Sequence, residues 1–357
     1  MAKVNDAVVI NQTKVKNRIT FSPTVKFDMA GPDGKVTERH IRHYKERAEG
    51  GVGLICVEAT AIEPGGRFAK NHLGLWEDSQ IEGHTFITKA CHGNGVAVII
   101  QLNHTGITAN PECGPAIGPS SVNTRYGNLS KEMSISEIKD MQDMFVNAAI
   151  RAKKAGYDGI QLHGCHGYLI NQFVNKTTNL RNDEYGGSAE NRARFAAEIL
   201  RSIRKECGDG FILSVRTIGA DPELSDAIAV AEEYVKAGCD YLQVSHGMGE
   251  AEPGLRSDDD PFNAICAMGV QFHKAFGGRV PTSCANSILE PGLVRYLIEN
   301  DLTDTVDLAR AILADPAFPN AVLNGLSYTR CFECPRCQYG PFTPHKCPAE
   351  LRRLQEC

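Results

Sequence analysis

Eight short, nearly uninterrupted apolar and β-branched runs recur along the chain, with helical stretches between them. This alternation constrains the fold most strongly. The runs are Ile19–Pro23, Gly53–Glu58, Val96–Leu102, Gly159–His163, Ile212–Val215, Tyr241–Val244, Val280–Cys284 and Asp304–Leu308. They lack the in–out polarity of a half-exposed strand, so both faces must be covered. Helical spacing is found over Thr37–Glu49, Ser136–Ala155, Ser188–Glu206, Ser225–Ala237 and Pro291–Glu299. Eight strand–helix alternations predict an α/β protein, a (β/α)8 TIM barrel. A doubly wound open sheet shares the alternation, but no Gly-x-Gly-x-x-Gly follows the first run, which removes that fold's best support. Residues 1–18 are expected to form an N-terminal hairpin that closes the barrel bottom. The barrel is expected over residues 1–325 and a cysteine-rich C-terminal extension over 326–357.

Charge and cysteine usage narrow the function classes. Lys and Arg number 38 against 43 Asp and Glu, a net charge of −5. With no long basic run, a nucleic-acid partner is disfavoured. No apolar run approaches the roughly 18 residues of a membrane span, and the N-terminus has no apolar signal core. Thirteen cysteines are present. Nine are scattered, and four crowd together as Cys331, Cys334, Cys337 and Cys347. A secreted disulfide scaffold would be short and would carry a signal peptide, so a reduced, cytoplasmic protein is expected.

Polar residues at strand ends are the candidates for chemistry, because a barrel's active site lies at the C-terminal ends of its strands. The third run ends in Gln101-Leu-Asn-His104 and the fourth in His163-Gly-Cys-His166-Gly-Tyr168. The fifth is followed by Arg216, and the eighth runs into Ala309-Arg310. A lone buried histidine is usually a satisfied core residue. Two imidazoles and a phenol within six residues can instead polarise a carbonyl and supply a proton. Metal chelation by His163 and His166 is the weaker reading, since no carboxylate or third ligand is evident nearby. The segment Asn179–Phe195 is long for a strand–helix loop, which suggests function. Its bland reading is a loop turning at Gly186-Gly187, with Ser188 capping the next helix.

Several stretches together resemble the Old Yellow Enzyme family of FMN-dependent NADH:flavin oxidoreductases and ene-reductases. They are Asn17-Arg-Ile-Thr-Phe-Ser-Pro23, Val57-Glu-Ala-Thr-Ala61 with Gly66-Arg67, and Gln101–His104. The run from His163 to Asn191-Arg192, and Leu308-Ala-Arg310 with Leu313-Ala-Asp-Pro316, complete the set. The resemblance covers about residues 4–325 and implies FMN across the barrel mouth. Pro23, Thr24 and Ala59 would line it, and Gln101 would hydrogen-bond its pyrimidine edge. Arg216 would face the N1–C2 carbonyl region, where charge accumulates on reduction. Arg310, with Asn286, Ser287 and Ala309, would hold the phosphate. The family usually has glycines at those last three positions, so side chains here would either crowd the loop or hydrogen-bond in place of backbone.

The same resemblance implies ping-pong hydride transfer from NAD(P)H to an enone or enoate. His163 and His166 would bind the substrate carbonyl, and Tyr168 would protonate the α-carbon. Val25 stands where the family commonly has a Thr or Cys that donates to flavin O4, so a modest shift in flavin potential is expected. A Val25→Thr enzyme with an unchanged midpoint would sink that expectation. The loops Arg67–Trp76, Thr105–Gly127 and His246–Pro261 would form the lid. His246 faces the substrate in one reading and solvent in the other. The family also leaves a homo-oligomer open.

Cys331-x2-Cys334-x2-Cys337-x9-Cys347-Pro348 has ligand spacing. It is similar to ferredoxin-type [4Fe–4S] ligation and to the cysteine tail of 2,4-dienoyl-CoA and 2-enoate reductases, although their spacing differs slightly. Those relatives continue into a nucleotide-binding domain, so a cluster here would draw on an external electron donor or serve structure only. A four-cysteine zinc site, with Arg336 and Lys346 offsetting charge, and metal-free thiols remain open alternatives. A non-catalytic flavin or redox-sensing module is the reading from outside the enzymes.

Overall fold

The protein was analysed as a computed structural model that describes residues 2–220, 223–248, 253–339 and 347–356. Lys346, Cys357 and part of the expected His246–Pro261 lid lie outside the described residues. An N-terminal hairpin, β1 (Val8–Ile10) and β2 (Thr13–Val15), precedes the barrel strands β3 (Ile19–Phe21), β4 (Leu54–Ala61) and β5 (Ala97–Asn103). The two-residue strands β6 (Ile117–Gly118) and β7 (Lys131–Glu132) pair with each other outside the barrel. The barrel continues with β8 (Gly159–Gly164), β9 (Ile212–Ile218), β10 (Tyr241–Ser245), β11 (Thr282–Ala285) and β12 (Thr305–Leu308). These eight strands close a barrel in the order β10-β11-β12-β3-β4-β5-β8-β9, every pairing parallel. All eight apolar runs of the sequence therefore supply barrel strands, and every residue of those strands is buried.

The hairpin seals the barrel bottom, as its position in the sequence predicts. Val8, Ile10 and Val15 pack with Leu54, Cys56, Ala97, Ile99, Ile212 and Tyr241 in one cluster. Burying a side chain of this kind contributes about 1.5–3 kcal/mol, so the plug is a substantial part of the interior. Asn11 at the turn donates to the Asp209 carbonyl at 2.5 Å, tying the hairpin to the loop before β9.

Helix ends follow local chemistry. The helix expected from Ser136 instead spans Ile135–Lys154, because Ser134 caps it. The Ser134 hydroxyl accepts from Glu137 N, and the Glu137 carboxylate accepts from Ser134 N at 2.9 Å, a reciprocal capping box. Ser188 caps Ala189–Cys207 as expected. Helices Ile81–His92 and Ala264–Phe276 have weaker sequence signatures, and the barrel's need to cover its strands reveals them. Among the described residues, no helix is long and apolar enough to cross a membrane. All described cysteines are free.

Residues 179–195 form a structural clamp. Arg181 chelates Asp183 and donates to the carbonyls of Pro119 and Met133 at 2.9 and 2.7 Å. Asn179 Nδ2 bridges the carbonyls of Phe173 and Tyr185, and Arg192 pairs with Asp226 at 2.6 Å. Gly186 packs so closely that a Cβ would come within 2.0 Å of the Arg181 carbonyl oxygen. Arg181 and Arg192 thus divide their donors between buried carbonyls and carboxylates, which ties the loop down along its length.

Candidate active site

A cavity of about 480 Å³ opens at the C-terminal mouth of the barrel. Its wall collects Arg216, Asn286, Ser287, Ala309 and Arg310, five of the residues singled out for flavin binding, together with His166. His246 lines it too, so it faces the cavity. Ser22, Ser245 and Asp307 complete the polar wall and were not singled out from the sequence. Asp307 did leave a signal: a lone carboxylate inside the buried run Thr305-Val-Asp-Leu308.

The remaining expected flavin residues, Pro23, Thr24, Ala59 and Gln101, do not line the cavity, although Pro23 and Thr24 bond to residues that do. Pro23 follows β3, and its carbonyl accepts weakly from Arg216 Nη1 at 3.5 Å. Thr24 Oγ1 donates to the Ser22 carbonyl at 3.0 Å. The Ala59 carbonyl sits 2.6 Å from His72 Nε2. A register shift after Val57 interrupts the β4–β5 pairing there. Glu58, beside Ala59, is buried against the Tyr44 hydroxyl and the Lys26 amide, away from the cavity wall. Its burial raises that carboxyl to about 7. Gln101 lies buried on β5 and donates to Gln161 Oε1 at 2.8 Å.

The loop after β11 answers what replaces the expected glycines. Asn286 and Ser287 have φ of 83° and 54°, the left-handed conformation that glycine adopts freely. Asparagine tolerates it better than most residues. Their side chains do not crowd the loop but bond within it. Asn263 Nδ2 and Ser287 Oγ both donate to Asn286 Oδ1, at 3.2 and 2.9 Å. Arg310 Nη2 donates to Ser287 Oγ at 2.6 Å. Consecutive left-handed residues turn successive backbone N–H groups to one side, a concavity suited to an anion.

His163, His166 and Tyr168 converge at the end of β8. His163 Nε2 lies 2.8 Å from His166 Nδ1, and His166 Nε2 lies 2.8 Å from Ser245 Oγ. His166 takes a left-handed φ of 62°, which folds its ring back over β8. The rings of His163 and Tyr168 stand 4.8 Å apart, and Phe68 from the loop after β4 packs on the other side of Tyr168 at 4.8 Å. Burial, with His166 and then Arg216 nearby, pushes the His163 imidazole well below the usual histidine range; His166, whose side chain opens to the cavity, is lowered as well by partial desolvation and by Arg216. Burial pushes the Tyr168 phenol up to about 12, so it carries its proton at any ordinary pH. The pair is thus two neutral imidazoles beside a protonated phenol, and an arriving oxygen would replace their mutual bond.

Cys165 supplies the third metal-ligating group that the sequence left out of view, its sulfur and the two imidazoles lying within 4.8 Å of one another. Burial raises that thiol to about 12. The geometry also fits FMN. Arg216 has a buried Nε with no hydrogen-bond partner in the protein. The cavity offers one guanidinium on β9 and another, Arg310, beside the anion-shaped loop after β11.

The four tail cysteines come together as well. Cys331, Cys334, Cys337 and Cys347 line one small pocket, with Tyr339 and Arg310 in its wall. Arg310 therefore borders both this pocket and the large cavity.

Known proteins share this architecture. The chain is 36% identical over 322 residues to the NADPH dehydrogenase of Halalkalibacterium halodurans, an alignment covering 89% of this chain and 93% of that one. Its fold is similar to a 2-naphthoyl-CoA reductase in complex with 2-naphthoyl-CoA, with a TM-score of 0.87, 26% identity and 96% of this chain covered. This chain spans only 56% of that protein's length. An old yellow enzyme homologue from Zymomonas mobilis gives a TM-score of 0.79 at 25% identity, with 93% of this chain and 95% of that one covered. The NADH:flavin oxidoreductase / NADH oxidase family matches residues 7–328. A barrel mouth fitted for FMN, with paired imidazoles and a phenol at the end of β8, and a match across nine-tenths of the sequence place this chain in that family of FMN-dependent, Old Yellow Enzyme-type NAD(P)H oxidoreductases.

Proposed function

We propose that this protein reduces the C=C bond of α,β-unsaturated carbonyl compounds in the cytoplasm, with its catalytic barrel over residues 1–325 and a cysteine-rich extension over 326–357. The observation that carries this reading is the convergence of His163, His166 and Tyr168 beside the cavity that holds Arg216 and Arg310. Bound FMN supplies hydride transfer, from NAD(P)H in one half-reaction and to the substrate β-carbon in the other. Pro23, Thr24, Ala59 and Gln101 would border it, Arg216 would offset negative charge at its pyrimidine, and Arg310, Asn286, Ser287 and Ala309 would hold its phosphate. His163 and His166 each donate an N–H to the substrate carbonyl oxygen, which draws electrons from the alkene. Tyr168 gives its phenolic proton to the α-carbon and regains one from solvent. Anaerobic NAD(P)H should bleach the flavin, and cyclohexenone should restore its colour. Failure of every enone and enoate to restore it would favour a non-catalytic flavin or redox-sensing module.

A second reading rests on Arg310, which borders both the flavin cavity and the cysteine pocket. In it, Cys331, Cys334, Cys337 and Cys347 hold a [4Fe–4S] cluster in an enzyme of the dienoyl-CoA or enoate reductase type, here fed by an external electron donor. The likeness to a naphthoyl-CoA reductase favours an acyl thioester as substrate in this reading. Anaerobically purified protein should contain about four irons per chain and lose them in Cys334→Ser. Zinc in place of iron, or no metal, would sink the cluster.

A further inference from the structure

A chain of buried side chains crosses the barrel interior under the cavity. It joins Asp307 on β12, Gln243 on β10, Gln161 on β8 and Gln101 on β5. None of the four is more than 3% exposed. Gln243 Nε2 donates to Asp307 Oδ1 at 3.0 Å. Gln161 Nε2 donates to Gln243 Oε1 and, at 3.2 Å, to Ser214 Oγ. Gln101 Nε2 donates to Gln161 Oε1 at 2.8 Å, and the two residues face each other in the β5–β8 register.

We propose that Asp307 is a positioning residue which, through Gln243 and Gln161, fixes the direction in which the Gln101 amide faces the bound flavin. The proposal rests on the reading above that places Gln101 at the pyrimidine edge. Three linked amides by themselves have no preferred direction. Exchanging O and N in each gives the same number of bonds. An ionised carboxylate breaks this tie, because it only accepts; burial raises the Asp307 carboxyl, while Arg216 and the Thr20, Ser22 and Gln243 donors favour its ionised form. Asp307 accepts from the hydroxyls of Thr20 and Ser22, both at 2.8 Å, so these two donors hold it in place. Gln243 must then turn its amide nitrogen to Asp307 and its oxygen to Gln161. Gln161 in turn offers its oxygen to Gln101. Gln101 spends one proton on the chain and keeps its carbonyl oxygen and one N–H for a ligand.

That residual pattern matches the flavin pyrimidine, whose N3–H donates and whose C2 carbonyl accepts. In the reversed chain, Gln101 would give its oxygen to Gln161 and present an NH2 group. One of those protons would then meet the flavin N3–H, donor against donor. The carboxylate thus sets a hydrogen-bond polarity three residues away from where it is read. Asp307 also lines the cavity, so the test must separate the chain from any direct contact.

Asp307→Asn keeps the size of the side chain but adds a donor and removes the fixed acceptor. FMN affinity should fall roughly tenfold, the scale of one mismatched hydrogen bond. The infrared C2-carbonyl stretch of bound FMN should shift. Gln243→Met cuts the chain in the middle without touching the cavity wall, and should reproduce both effects. The double variant should be no weaker than either single one. A normal stretch in Asp307→Asn, an unaffected Gln243→Met enzyme, or additive losses would each overturn the relay. Gln101→Ala separates the two levels of the argument. An unshifted stretch there would overturn the placement of Gln101 and the relay with it. A shifted stretch in Gln101→Ala beside an unshifted one in Asp307→Asn would overturn the relay alone.

Discussion

Alkene reduction by a Tyr168→Phe enzyme is expected to be slower by about 10²–10⁴-fold, while NAD(P)H reduces its flavin at close to the normal rate. The reasoning starts from the phenol's surroundings. Burial raises its pKa to about 12, so the proton is present when substrate arrives. The Phe68 and His163 rings, each 4.8 Å away, hold the Tyr168 ring by contacts that phenylalanine retains. The substitution therefore removes a proton and little else. Only the oxidative half-reaction needs that proton, for the α-carbon. Stopped-flow measurement of each half-reaction separates them. Equal slowing of both would mean that Tyr168 is not the donor.

Replacing Arg310 by Ala should raise the FMN dissociation constant by about 10–100-fold, the scale of losing a charge-assisted contact to phosphate. Arg310 is held toward the phosphate loop by its bond to Ser287. Ser287→Ala should cost much less, because it removes an orienting neutral partner and leaves the charge. Fluorescence titration of released flavin measures both. Equal losses would place the binding energy in the loop's shape rather than in the guanidinium. Iron content measured on the same Arg310→Ala sample would report whether the cysteine pocket, which shares this residue, depends on it.

Much of this protein is legible in one dimension because burial is periodic. The eight barrel strands show as apolar runs, since each is covered on both faces whatever its neighbours. Ser188 shows as a helix cap because capping is a contact between residues three apart. Ser134 follows the same rule, and its pairing with Glu137 overrides the later Ser136. His163, His166 and Tyr168 could be grouped from sequence because one strand end carries all three. The Asn179–Phe195 segment shows the limit of such reading. It is distinctive in sequence, yet its Arg181, Asn179 and Arg192 serve buried carbonyls and a carboxylate that only the fold brings near.

The amino-acid sequence by itself determined the barrel, the bottom plug and the strand ends that bear chemistry, because each depends on hydrophobic period or on neighbours along the chain. Tertiary structure decided what those ends face. Asp307 reaches Gln243 across 64 positions and Gln161 reaches Gln243 across 82, so no local pattern could reveal the buried amide chain. Arg310 came to border both the flavin cavity and the cysteine pocket because barrel closure sets β12 beside β3 while the tail packs against the helix that begins at Arg310. Side chains far apart in sequence meet only when the barrel closes. Their hydrogen bonds depend on distances of about 3 Å, which closure alone sets.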